Sequence, residues 1–123
     1  MPVRLRPAAP EAVSAALAAR APADDKLLTK HFLAVLAERA PGNSVEVRVP
    51  PYAAAQVIPG VRHTRGTPPA VVETDVVTWI ELATGDLAWT DAIASGRIIA
   101  SGERTDLSTY LPLTDTNLTT NED

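Results

Sequence analysis

The run Gly85-Asp86-Leu87-Ala88-Trp89-Thr90-Asp91-Ala92-Ile93-Ala94-Ser95-Gly96-Arg97-Ile98-Ile99-Ala100-Ser101-Gly102 constrains the fold more than any other part of the chain. Glycines punctuate it. A short apolar helical segment lies between Gly85 and Gly96, and a strand-like one between Gly96 and Gly102. Glycine accepts the left-handed backbone that ends helices and opens turns, so each of these positions marks the end of an element. The run carries no nucleophile paired with a base and no cluster of metal ligands, which directs the reading toward a binding fold.

The same punctuation divides the rest of the chain. Residues 1–10 contain Pro2, Pro7 and Pro10 and read as an extended lead-in. Glu11 to Arg20 is Ala-rich and helical, with an acid at its start and a base at its end. Asp24 or Asp25 caps a second helix that runs to about Arg39, with Leu28, Phe32, Val35, Leu36 and Arg39 at helical spacing. Ser44 to Val49 alternates: Val45, Val47 and Val49 share one face of a half-buried strand, Glu46 and Arg48 the other. Ala53 to Ile58 is a second strand, whose small residues leave room for something to pack on it. Pro59-Gly60 closes it, and Val61 to Pro69 is a loop or irregular hairpin. Ala70 to Thr74 is a third strand, Asp75 caps a helix from Val76 to Thr84, and Gly85 stops that helix. A short helix near Thr90 to Ser95 precedes a strand from Arg97 to Ser101. Asp106 to Leu111 reads as a last short helix, and the Thr- and Asn-rich stretch from Thr114 to Asp123 as a disordered tail. The order of elements makes the fold α+β, and the hairpin-like connections between the early strands favour antiparallel pairing.

Length and composition bound the function. A chain of 123 residues is expected to form a single domain over residues 1–113. Only 4% of residues are aromatic, so Ala, Val, Leu and Ile must build the core around Phe32, Trp79 and Trp89. The absence of cysteine excludes disulfides, thiol catalysis and thiolate metal sites. A net charge of −4 gives no support to nucleic-acid binding, which needs a basic face. No stretch approaches the roughly 18 apolar residues of a membrane helix, so no stable membrane insertion is expected. Arg4 and Arg6 ahead of an Ala-rich stretch have the outline of an export signal, but Pro7, Pro10 and Glu11 interrupt it. The protein is read as cytoplasmic.

The glycine-punctuated run, with Gly85-Asp86-Leu87, Ala92-Ile93-Ala94-Ser95-Gly96 and Arg97-Ile98-Ile99-Ala100-Ser101-Gly102 as its stations, resembles the C-terminal half of the sterol carrier protein type two family. Leu107 to Leu113 stands where that family has its last apolar segment. The run from Arg62 to Pro69, continuing to Asp75, is similar to a small actinobacterial branch. Asp86 and Arg97 replace lysines of the family pattern, and Trp89 stands where proline is frequent. The resemblance implies a mainly antiparallel sheet of about five strands, covered by helices and enclosing an apolar tunnel for sterols, fatty acids or acyl thioesters. It implies no enzyme and no cofactor. The small C-terminal domain of mycothiol-dependent isomerases is of similar type, which makes an accessory interaction domain without lipid cargo the alternative reading.

The chemistry-bearing residues fit a binding role. The histidines are His31, on the second helix, and His63, in the loop. Arg62, His63 and Arg65 are either a solvated loop or an anion site for a carboxylate or phosphate headgroup. Histidines so far apart, with no cysteine, predict no metal site. Ser95 and Ser101 each precede a glycine, but neither sits in the Gly-x-Ser-x-Gly pattern of a nucleophile elbow. The acids Glu73, Asp75, Asp86, Asp91, Glu103 and Asp106 read as caps or surface residues, so no catalytic residue is expected. The expected ligand is apolar, held between the sheet face of Val45, Val47 and Val49 and helices bearing Trp79, Leu82, Trp89 and Ile93. Arg62, His63 and Arg65 are the expected headgroup contacts, and a homodimer is left open.

Overall fold

Pro10 occupies the first position of a helix, where its missing N–H leaves no bond unmade, and α1 (Pro10–Ala19) ends on Arg20 in left-handed backbone. The computed structural model describes residues 5–60, 70–103 and 105–114. A 3-10 turn at Pro22–Asp24 leads into α2 (Asp25–Arg39). The strands are β1 (Val45–Val49) and β2 (Ala53–Val57), then β3 (Ala70–Thr74). They are followed by α3 (Val76–Thr84), α4 (Trp89–Ala94) and β4 (Ile98–Ser101). The Asp75 carboxylate accepts the Thr78 N–H at 2.7 Å and so caps α3. Gly85, Gly96 and Gly102 all have positive φ, at +88°, +77° and +94°, as the stops between elements require.

The fold is α+β with a mixed sheet, which among the described residues has four strands in the order β2-β1-β3-β4. β1 pairs antiparallel with β2, and β3 antiparallel with β4. The central pair β1–β3 is parallel, so the chain leaves β2, passes β1 and lays β3 on its far side. The successive pairs β1–β2 and β3–β4 are antiparallel as expected; the parallel pair of β1 with β3 was not. Alternation shows which residues are inward but not which strand is the neighbour, because it is the same for either direction of pairing. The segment expected to be the 61–69 loop, and the tail from residue 115 on, lie outside the described residues.

Register places the valines of β1 opposite Val57, Ala55 and Ala53 of β2 and Ala70 and Val72 of β3, all on the inward face. Val45, Val47, Val49 and Val57 are fully buried. The outward face remains wet, with an Arg48–Glu46 ion pair of 3.0 Å and with Ile99 69% exposed. Short side chains at Ala53 and Ala55 let α2 lie close against β2. Where α2 turns toward β1, Ile58 donates its N–H to the Ala40 carbonyl at 2.6 Å and accepts from Ser44 at 3.2 Å. The Ile58 carbonyl presses on Gly42, at φ +154°, where any Cβ would overlap it. Only glycine fits that turn.

α2 is buried beyond the single stripe its spacing predicts. Leu28, Phe32 and Leu36 are inside as expected, and so are Thr29, Leu33 and Ala34, because α1, α3 and β2 all pack on this helix. The largest core residue, Trp79, reaches it with an Nε1–H bond to the Thr29 carbonyl at 3.3 Å. The Thr29 hydroxyl itself, fully buried, finds no hydrogen-bond partner among the described residues. An orphan hydroxyl costs about 1–3 kcal/mol of desolvation that valine, of the same shape, avoids. Thr29→Val is therefore expected to raise the unfolding free energy by about 1 kcal/mol, read as a higher urea midpoint at unchanged slope.

Candidate ligand-binding site

The end of α3, the Gly85 turn, the start of α4 and the chain after β4 meet around a cleft of about 350 Å³. Leu82, Leu87, Trp89, Leu111 and Pro112 line it, with Ala88, Thr90 and Ser108 toward solvent. Leu82 and Trp89 belong at once to the cleft and to the continuous apolar core, so its floor is the core itself. Gly85 turns the chain there, and its Cα faces the Pro112 ring. The volume is at the low end of the roughly 300–1,000 Å³ of small-molecule sites. None of the described residues that line it has an ionisable side chain.

One wall is a strap of chain, residues 107–113, with a 3-10 turn at Ser108–Tyr110 in place of the expected short helix. Leu107 and Leu113 are buried and pin it to the core, and the Leu113 N–H donates to the Ala83 carbonyl at 2.7 Å. Arg39, at the end of α2, fixes the rest. Its Nη1 donates to the carbonyls of Tyr110 at 3.3 Å and Pro112 at 3.0 Å, and its Nη2 to that of Leu113 at 3.2 Å. The planar guanidinium presents donors in a fixed fork, which is what several carbonyls on one bent strap require. At the outer end of the strap the Asp106 carboxyl is held below its usual range by hydrogen bonds from the Ser108 side chain and backbone.

The residues expected to hold the ligand divide into groups. Leu82 and Trp89 are brought together at the cleft, on either side of the Gly85 turn. Val45, Val47, Val49 and Trp79 are at most 1% exposed and are packed core. Ile93 is 43% exposed. In α4 it is Trp89 and Ala92 that face inward, and Ile93 follows Ala92 by about 100° around the helix. Arg62, His63 and Arg65 lie outside the described residues. Leu111, Pro112 and Arg39 were not expected at a site. Nothing near Arg39 in sequence names its partners, although a basic residue in the last turn of a helix is a visible signal for a carbonyl-binding role.

A larger open groove, of about 1200 Å³, runs between residues 5–7, α2 and the sheet edge at β2. It mixes Ala34, Ala37, Ala54 and Ala55 with Arg6, Glu38 and Glu46 and is far less apolar in character. Among the described residues no three His, Cys, Asp or Glu side chains are grouped to hold a metal ion. None of the described helices is long and apolar enough to cross a membrane.

Arg97, where the resembled pattern has lysine, donates to the Thr78 hydroxyl at 3.0 Å and the Glu81 carboxylate at 2.8 Å, and so ties the start of β4 to α3. Asp86, the other departure, makes a long exposed contact of 3.9 Å with Arg20. Hydrogen bonds from a charged donor contribute about 1.5–3 kcal/mol each but are not additive in a shared fork. Arg39→Ala is expected to cost about 2–3 kcal/mol in urea unfolding and to red-shift tryptophan emission as the strap over Trp89 loosens. Arg39→Lys, a single point donor, should recover only part of both.

The family of bacterial SCP orthologs matches this chain over residues 20–113, from the residue that ends α1 to the last buried residue of the strap. No curated protein matches it. The match takes in the whole sheet, the glycine-punctuated run and the cleft, and the chain belongs to this SCP-like family.

Proposed function

We propose that the protein binds an apolar, lipid-like ligand without transforming it, and that the cleft bounded by Leu82, Leu87, Trp89, Leu111 and Pro112 receives it. The observation that carries this reading is an apolar cleft whose floor is the hydrophobic core and whose described lining residues carry no ionisable group. Such a site offers burial, at about 25 cal/mol per Å² of apolar surface, and its hydroxyls, Thr90 and Ser108, stand toward solvent with no base among the described lining residues. Membership of an SCP-like family supports the same reading. A cleft of about 350 Å³ suits a single acyl chain or a small ring system and leaves a headgroup in water. Selectivity among chain lengths is correspondingly weak, because an added methylene changes apolar binding little.

A second reading, an interaction module without cargo, draws on the close-packed interior at Val45, Val47 and Val49 and on the open sheet face with Ile99 69% exposed. Native mass spectrometry of protein purified from cells separates the two. An acyl or sterol mass supports the first reading; a clean apo mass with a stable protein partner supports the second. Ala88, exposed at the cleft rim, permits a direct test. Ala88→Phe is expected to weaken binding of a polyene fatty acid, followed by energy transfer from tryptophan, by about tenfold or more, which corresponds to about 1.4 kcal/mol. The melting temperature should be nearly unchanged, and equal affinity in the variant would place the ligand elsewhere.

A further inference from the structure

Ahead of α1, residues 5–9 form neither helix nor strand, yet Leu5 and Ala8 pack partly buried against the core. A side chain from the middle of α2 ties them down. The Ala8 N–H donates to His31 Nδ1 at 2.9 Å, across 23 residues of sequence. The imidazole is half-buried and meets Phe32 edge-on, with ring centroids 4.9 Å apart. Accepting at Nδ1 requires the neutral ring with its proton on Nε2, whereas in imidazolium both nitrogens donate. A proton added at Nδ1 therefore faces the Ala8 N–H, donor against donor.

We propose that His31 is a proton-operated latch: the neutral ring holds residues 5–9 against α2, and protonation under mildly acidic conditions releases them. The released segment supplies Leu5, Arg6 and Pro7 to one wall of the large groove, so its departure widens that groove and uncovers α2 beside Ala34 and Glu38. The charged groups around the ring do not cancel the effect. Burial pushes the His31 pKa down from its ordinary 6.5, and Glu38, two turns further along α2, opposes this by the smaller amount. Arg6 and Glu46 line the large groove, as Glu38 does.

The sign follows from linkage. A ring whose pKa is lower in the latched state favours that state when neutral, so the latch is at full strength above pH 6.5 and is lost as pH falls through the latched-state value. Between those two values the released population grows by up to about tenfold per pH unit.

The test is an NMR titration of the full chain, following the His31 ring and the amides of residues 5, 6, 8 and 9. Their order and hydrogen-exchange protection are expected to fall together, with a midpoint that tracks His31 rather than His63. In His31→Asn the side-chain oxygen takes the place of Nδ1 and accepts at any pH, so the segment should remain ordered in acid. Ala8→Pro removes the donor and leaves the ring in place. It should free the segment at neutral pH and move the His31 midpoint upward. A segment that keeps its order while His31 titrates overturns the proposal. So does a His31→Asn variant that releases with the wild-type midpoint, or an Ala8→Pro variant with an unmoved His31 midpoint.

Discussion

Arg39 joins parts of the chain that no secondary structure joins. It stands in the last turn of α2, and its guanidinium donates to three carbonyls that lie 71 to 74 residues further on. Those carbonyls belong to a strap without a helix or sheet ladder of its own, and a buried or half-buried carbonyl without a donor is costly. A cation here also meets the negative end of the α2 dipole, which favours it at this position for a local reason as well. The cleft has the strap for a wall, so its shape is set by a residue that does not line it. α2 thus works as a column: the sheet edge, α1 and α3 pack on its sides, and its C-terminal end carries the strap.

The position of the cleft follows from how the layers pack. β2 offers Ala53 and Ala55 to α2, and short side chains bring helix and sheet close together. The valines of β1 and Trp79, all at most 1% exposed, complete the layer. Little volume is left between sheet and helices at the centre. Vacancy collects instead at a margin, where the end of α3, the start of α4 and the strap converge and irregular backbone cannot interdigitate as regular elements do. The cleft lies at this margin, with the core as its floor.

Much of the fold was legible because its punctuation is local. Asp75 and Gly85 bracket α3 at the expected residues, and β3 falls where the β-branched run places it. Leu82 and Trp89, both expected at a ligand site, line one cleft because they flank the same turn. What stayed hidden depends on partners distant in sequence. The parallel β1–β3 pairing is one case, since alternation carries no information about direction. Thr29 and Leu33 are another: they lie off the apolar stripe of α2 and are buried only because a third element covers them. Ile93 shows the reverse. It is apolar and in the expected element, but α4 is too short to bury more than Trp89 and Ala92. The sequence places His31 on the second helix, where it lies, and only the position of the Ala8 N–H gives its Nδ1 a role.

The two segments that flank the packed elements are both moored to α2 by a side chain bound to main chain, but the moorings differ in kind. His31 accepts from Ala8, and Arg39 donates to the strap. An imidazole changes from acceptor to donor within the ordinary pH range, whereas a guanidinium stays charged throughout it. Acid therefore acts on the first mooring and spares the second. The groove beside residues 5–7 and the cleft behind the strap lie on the same column, and the imidazole serves the groove side while the guanidinium serves the cleft side. A strap that keeps its mooring while a neighbouring surface is uncovered is what this division of side chains along one helix provides.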